Sequence, residues 1–537
     1  MSKKRYTFNK SRSGELVPAI ILKNENIQPL HSMMDPKKEA ERLITANGSL
    51  GFTVFLGLGG GFAPEAALEH NSSFVLVIDY DREGILELLE AKNYSYLLDN
   101  ERFHLLIDPS NDEIINFIIN NFKPSLHGGL KMIPLRTRTE QDTQIFESAA
   151  GAVQQALDIV TGDYSVQAHF GKRWFSNIIR NIKFVKTDSE NNIIENILKQ
   201  KKQIKNAVIV AAGPSLDSQI PALIKLKSQG AFIICTDTAL GALFSNNMEA
   251  DAVVSIDCQH ISLYHFMGFN SRIGNIPLIL DIASSPLLSN FNSFSPVFFS
   301  SGHPLARYIS DAWRSFPGLD TSGGNVTYAC LSFAETLGAK QITLFGADFS
   351  NIGSRSYARG TYVYPYFFNR QKRTCTLEAQ FSSFLYRSVF LPMESDLQTY
   401  RETSSLRFYR NKLEEKVSVM EAQVVCEQGL GAPITLRKNN HGGHREESIM
   451  FNPNNGAHTT ISGIDFLLQY RNDIAALPRA NDKKDYFGIL NLKEKQIFTT
   501  LLPLAAFIRK KNAELNAHDI IAEVKKYSVR EIEKVLG

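Results

Sequence analysis

Short runs of uniformly apolar residues punctuate the chain, each closed by small or acidic residues. Ala207-Val208-Ile209-Val210-Ala211 leads into Ala212-Gly213-Pro214-Ser215, Ala231–Cys235 into Thr236-Asp237-Thr238, and Ala252–Ile256 into Asp257. Apolar runs without alternation read as strands buried on both faces of a parallel sheet. The Gly-Pro-Ser turn starts a helix with Pro214 or Ser215 near its first turn. A helix that begins directly after a buried strand presents free N–H groups and the positive end of its dipole, which suits an anion. Polar residues at the C-terminal ends of neighbouring strands are where an open α/β sheet places its ligand. The same pattern also suits an ordinary α/β core with routine loop residues.

The pattern repeats upstream. After a lead-in with a short strand at Ala19–Leu22 and a short helix at Pro36–Leu43, Phe52–Leu56 is a strand running into Gly57-Leu58-Gly59-Gly60-Gly61. Phe74–Ile78 is a second strand, closed by Asp79, and Phe103–Ile107 a third, followed by a helix at Ile114–Phe122. A glycine-rich turn with an acid at the next strand end is the dinucleotide or S-adenosylmethionine fingerprint. No obvious catalytic set follows it, which favours a structural Rossmann-like unit over a methyltransferase. Two helical stretches, Phe146–Ile159 and Trp174–Ile182, then connect to the centre of the chain. Asn177, Arg180 and Asn181 share one side of the second, either as an exposed polar face or turned to a ligand.

Beyond Asp257, strands are expected at Pro277–Leu280, Val297–Phe299 and Gln341–Phe345, the last ending in Gly346-Ala347-Asp348-Phe349. Asp320-Thr321-Ser322-Gly323-Gly324 precedes a helix at Val326–Leu337. The stretch from Ser350 to Phe368 is rich in tyrosine, and too broken by Gly and Pro for a regular element. It reads as a lid or acceptor platform, or as a loop folded onto the core. Residues from Thr376 to about Gln428, Ile461–Ala476 and Glu494–Gly537 are rich in helix formers. His441 and His444 lie in a Gly-rich polar run without a third metal ligand, so a surface loop is expected there.

Composition adds limits. The chain has 537 residues, enough for two to four domains, with 58 Lys+Arg against 55 Asp+Glu for a net +3. Such balance argues against nucleic acid as a bulk partner. No apolar run reaches the roughly 18 residues of a membrane span, and no signal peptide is evident. The five cysteines are scattered without zinc spacing, as expected of cytoplasmic core thiols. No metal site is expected.

The Gly-Pro-Ser-Leu turn at Gly213–Leu216, the Ser-Gly helix start at Ser322–Gly323 and the Gly-x-Asp-Phe strand end at Gly346–Phe349 together resemble the catalytic domain of bacterial sialyltransferases. The whole chain resembles the motility accessory factors, flagellin glycosyltransferases built around that domain. The same domain is similar to the archaeal hydroxymethyl-dihydropterin pyrophosphokinase. The resemblance implies an α/β protein with an N-terminal Rossmann-like domain (1–165), a central Rossmann-like, sialyltransferase-type domain (166–380) and a helical C-terminal region (381–537).

It also implies transfer of a nonulosonic acid, of pseudaminic, legionaminic or sialic type, from a CMP-activated donor to Ser/Thr hydroxyls of flagellin in the cytoplasm. No cofactor is implied, because CMP carries a single phosphate. Gly213, Pro214, Ser215, Thr236, Asp237, Asp257, Thr321, Ser322, Gly323 and Gly324 then surround the donor, with Asp237 and Asp257 standing where the sialyltransferases have asparagines. Tyr357 and Tyr362, helped by Arg355 or Arg359, serve the phosphate. The family's downstream histidine base is missing, since no histidine occurs between Phe349 and Asn440. Asp348, Glu378 and His303 remain as candidate bases. Two alternatives stay open: an ATP-dependent pterin pyrophosphokinase, with magnesium on Asp217, Asp257 or Asp348, and a non-catalytic flagellin-binding protein.

Overall fold

The computed structural model describes residues 5–22, 25–48, 51–70, 72–185, 204–274, 276–290, 295–393, 398–436, 461–480 and 485–537; His441 and His444 lie outside them. Two compact units form, one of residues 1–172 with 469–534 and one of residues 173–468 with 535–537.

In the first unit, β1 (Tyr6–Lys10), β2 (Leu16–Ile21) and β3 (Ile27–Pro29) make an antiparallel sheet. Beside it, β4 (Phe52–Leu56), β5 (Phe74–Asp79), β6 (Phe103–Ile107) and β7 (Leu130–Pro134) make a parallel sheet in the order β6-β5-β4-β7. The uniformly apolar pattern has a direct cause. Successive side chains leave a strand on opposite faces, and both faces here are covered. Phe52, Val54, Leu56, Leu76 and Ile78 join Phe146 and Ala149 in one cluster, whereas Phe55, Val75 and Val77 join Tyr6, Val17 and Ile44 in another. Helix Leu492–Lys511, started by a reciprocal Asn491–Glu494 capping box, is pinned to this unit by Arg509, which donates to the carbonyls of Ser125 (2.7 Å) and Leu126 (3.0 Å). The two helical stretches read before the centre of the chain are one helix, Thr143–Asn181.

The second unit is organised by seven parallel strands: β8 (Asn206–Val210), β9 (Phe232–Thr236), β10 (Ala252–Ser255), β11 (Pro277–Asp281), β12 (Ser295–Phe299), β13 (Gln341–Phe345) and, after the small antiparallel pair β14 (Asn351–Ile352) and β15 (Tyr400–Arg401), β16 (Gln423–Cys426). Their order is β12-β11-β10-β9-β8-β13-β16. The chain therefore moves outward from β8 to β12 and returns to the other side of β8. The strand order reverses between β8 and β13, at the kind of topological switch point where open α/β sheets bind ligands. Two expectations change. The helix-rich stretch after Thr376 does form helices at Leu377–Leu385 and Ser404–Val419, but it also supplies β16, which pairs with β13 from Gln341↔Gln423 to Leu344↔Cys426. The aromatic stretch contains a short helix, Val363–Phe368, despite Pro365.

Candidate active site

At the switch point, three predicted residues lock two strand ends together. The Gly213 N–H donates to Gly346 O (2.8 Å) and the Ser215 N–H to Asp348 Oδ2 (2.8 Å). A Cβ on Gly213 would stand 2.4 Å from both Asp348 Oδ2 and Gly346 O, so only glycine fits. Gly346, at φ +61°, and Phe349, at φ +43°, turn the strand end through the left-handed region. A strap following β16 closes over the junction: Gln219 Nε2 donates to the carbonyls of Glu427 (3.2 Å) and Gln428 (3.0 Å), Leu430 N to Ser215 Oγ (2.9 Å) and Ala432 N to Asp348 O (2.9 Å). Burial raises the Asp348 carboxyl, and the bonds from Ser215 work against that rise. Asp217, in the first turn of the following helix, pairs with the Arg355 guanidinium and accepts the Arg359 N–H (2.9 Å). Both arginines thereby tie the aromatic loop down, and the Arg359 side chain is 81% exposed.

A second cluster lies at the ends of β9 and β10. Asp237 is buried and fully engaged, accepting from Thr238 N (2.6 Å), Thr238 Oγ1 (3.0 Å) and Ser255 Oγ (2.7 Å). His265 Nδ1 stands 3.3 Å from its other side, at Oδ2. Burial pushes the Asp237 carboxyl up, but His265 and these hydrogen bonds outweigh it and hold the group below the usual carboxylate range. Asp257 behaves in the opposite way. It accepts Gln259 N (2.9 Å), and burial, reinforced by Asp237, raises it. The ring of His265 packs on Tyr362 at 4.6 Å, and Tyr362 lies 6.3 Å from Tyr357. Burial raises both phenols, and the Arg387 guanidinium faces both and opposes the rise. Thr236 closes the cluster inward, its hydroxyl donating to Val210 O (3.2 Å).

The remaining predicted residues divide. Ser322 donates its N–H (3.0 Å) and hydroxyl (2.7 Å) to Asp320 Oδ1, so its side chain is held within its own turn. Gly323 makes room for Tyr328, whose ring a Cβ would meet at 2.1 Å, and Gly324, at φ +72°, lies against Tyr409. Thr321 is half-buried beside them. His303 packs tilted against Trp174 at 4.2 Å, with Nε2 3.9 Å from Asp281 Oδ2 at the end of β11. Glu378 is exposed in the first turn of its helix. Asn177 and Asn181 are neither a surface face nor turned to a ligand. Both are buried, with the Asn177 amide donating to Cys258 O (2.9 Å) and Ala283 O (3.0 Å), and the Asn181 amide to Ile282 O (2.8 Å) and Ser284 O (2.9 Å). They clamp the loops that follow β10 and β11. Sequence reasoning missed His265, Arg387 and Tyr409.

The glycine-rich turn of the first unit is filled by its own chain. His31 Nε2 accepts the Gly60 N–H (2.7 Å), Tyr94 OH donates to Gly59 O (2.8 Å) and the Lys92 ammonium reaches Gly60 O above the Phe62 ring. Asp79, the fingerprint acid, accepts Leu58 N (2.7 Å) and Tyr80 N (2.7 Å) and pairs with Arg138 at 3.1 Å, both side chains being 0% exposed. Burial and the neighbouring Lys92 push His31 down to about 4.

Residues 176–354 match the family model described as 6-hydroxymethylpterin diphosphokinase MptE-like. Its limits enclose both clusters of the second unit except for Arg355, Arg359, Tyr357, Tyr362, Arg387, Tyr409 and the strap. Two uncharacterised proteins of Treponema pallidum (strain Nichols) are similar. One is 37% identical over 116 residues, which is 21% of this chain and 41% of that protein. The other is 27% identical over 181 residues, 34% of this chain and 83% of that protein. Among solved structures, the MAf glycosyltransferase of Magnetospirillum magneticum AMB-1 shares the fold across 100% of this chain and 91% of its own, with a TM-score of 0.50 and 13% identity. The expected α/β fold is borne out, and residues 176–354 are similar to the MptE-like family. Among the described residues, no group of three or more His, Cys, Asp or Glu side chains could hold a metal ion, and no helix is long and apolar enough to cross a membrane.

Proposed function

We propose that the chain is a glycosyltransferase that moves a nonulosonic acid from a CMP-activated donor to Ser/Thr hydroxyls of flagellin in the cytoplasm. The observation that carries this reading is the length of the fold likeness: it extends over the whole chain, not the MptE-like domain alone. The cluster at β9 and β10 supports it chemically. A single donor phosphate needs one cation and hydroxyl donors, which Arg387, Tyr357 and Tyr362 offer without a metal. Asp257, held by Gln259 at the end of β10, stands where ribose hydroxyls would bind.

The family match supports a second reading, diphosphate transfer from ATP to a hydroxymethylpterin. That reaction calls for magnesium on free carboxylates. Of the three candidates, Asp217 is paired with Arg355 and Asp348 holds Ser215 N, which leaves Asp257.

The test is to offer the purified chain CMP-pseudaminate, CMP-legionaminate and CMP-N-acetylneuraminate with purified flagellin and to read flagellin's intact mass. A gain of one sugar mass, lost in Asp257→Ala, is the expected result. Unchanged flagellin with all three donors, together with magnesium-dependent formation of a pterin diphosphate, would move the function to the second reading.

A further inference from the structure

The proposed transfer needs a group to take the proton of the attacking hydroxyl, and none of the three bases read from sequence is well placed. Asp348 is fastened to Ser215 N. Glu378 is exposed on a separate helix. His303 is 3.9 Å from an Asp281 carboxylate that already accepts Ala283 N at 2.8 Å, and its ring packs tilted against Trp174.

His265 stands nearer to its carboxylate than His303 does to Asp281. Its Nδ1 is shielded from solvent and lies 3.3 Å from Asp237 Oδ2, an ion-pair contact without a hydrogen bond. Asp237 cannot swing away, because Ser255 and Thr238 hold both of its oxygens. Solvent reaches 10% of the His265 side chain, and Nδ1 is not part of what it reaches. The ring rests on Tyr362, in the wall that also carries Tyr357 and Arg387. A buried carboxylate beside one nitrogen of an imidazole orients the ring and leaves the far nitrogen to meet a proton.

We propose that His265, oriented by Asp237, is the general base of the glycosyl transfer. This rests on the glycosyl-transfer reading above. As the acceptor hydroxyl oxygen bonds to the anomeric carbon of the donor, its proton passes to His265 Nε2. The bond from that carbon to the phosphate oxygen breaks, and CMP leaves with the electron pair. Asp237 does not take the proton; it is a positioning residue. The charged and titratable groups facing the ring are Asp237 at the end of β9, Asp257 after β10, and Tyr362 from the aromatic loop, with Tyr357 and Arg387 next to that tyrosine.

Full-length wild type, His265→Ala and Asp237→Asn are compared by calorimetric titration with CMP and by CMP release from the accepted CMP-nonulosonate in the presence of flagellin. His265→Ala is expected to bind CMP within about threefold of wild type and to lose about 100-fold or more in kcat, the usual range for a general base. It should also lose the fall in rate that protonation of a base causes in acid, and recover part of the rate with added imidazole. Asp237→Asn should bind CMP and show a shifted pH profile. A His265→Ala enzyme with wild-type kcat and pH profile overturns the proposal. So does one that loses CMP binding in step with kcat, since that marks a donor-binding or structural residue. A wild type that binds no CMP and modifies no flagellin overturns the glycosyl-transfer reading itself, and the role of His265 with it.

Discussion

The two parallel sheets of this protein each send a buried strand into a glycine-bearing turn, yet the two turns end differently. At Gly57–Gly61 the space that glycines open is taken by His31, Lys92 and Tyr94, and the acid at the next strand end is neutralised by Arg138. At Gly213–Ser215 the glycine admits the neighbouring strand end, and the strap after β16 locks both in place. The acids at the next two strand ends, Asp237 and Asp257, then face His265, and Tyr409 lies near Asp257. A glycine-rich turn marks where backbone must come close to something, and that something is protein in both turns here. The proposed site of the second unit sits one strand further along.

The comparison can be broken most severely at Arg138. Replacing it by methionine leaves Asp79 buried without its partner, which should cost about 3–5 kcal/mol of stability in the first unit. Denaturant unfolding followed by hydrogen exchange in β4 and β5 measures this, and a loss below about 1 kcal/mol would show that the turn is not held by this pair. His31 offers a pH test of the same filling. Its folded-state value, about 4, lies below the ordinary 6.5, so the unfolded chain binds more protons between these values. Stability is then complete above about pH 6.5 and falls as pH drops toward 4, by on the order of 3 kcal/mol. His31→Leu should flatten that slope in unfolding measured from pH 7 to 4.

In the second unit, Gly213→Ala forces a Cβ to 2.4 Å from Asp348 and Gly346. It should cost about 1–3 kcal/mol, as overpacking does, and loosen the strap in limited proteolysis. The smallest effect is expected at Ser322. Its hydroxyl is already bonded to Asp320, so Ser322→Ala should change CMP affinity by less than about threefold and stability by within about 0.5 kcal/mol. A tenfold loss of CMP affinity would return Ser322 to the donor site.

Strands β8 to β11 were legible because burial on both faces leaves uniform apolar runs, and their acidic ends were visible as interruptions. β16 was not, because four residues, Gln423–Cys426, between helix formers carry too little pattern to separate an edge strand from a helix end. The turn glycines were visible, but their filling was not, since His31 and Lys92 come from segments 29 and 32 residues away from Gly60. Asn177 and Asn181 showed only helical spacing; their partners are loop carbonyls about a hundred residues later. His265 carries no motif at all. Its meaning comes from a carboxylate at the end of β9, 28 residues earlier in the chain.

The most direct test of the account is calorimetric titration of the full chain with CMP and with S-adenosylmethionine, each with and without magnesium, in wild type and Asp257→Ala. The account predicts magnesium-independent binding of CMP that Asp257→Ala abolishes, and no binding of S-adenosylmethionine. Binding of S-adenosylmethionine that is lost on Gly59→Ala, with no binding of CMP, would contradict it and return the ligand site to the first glycine-rich turn.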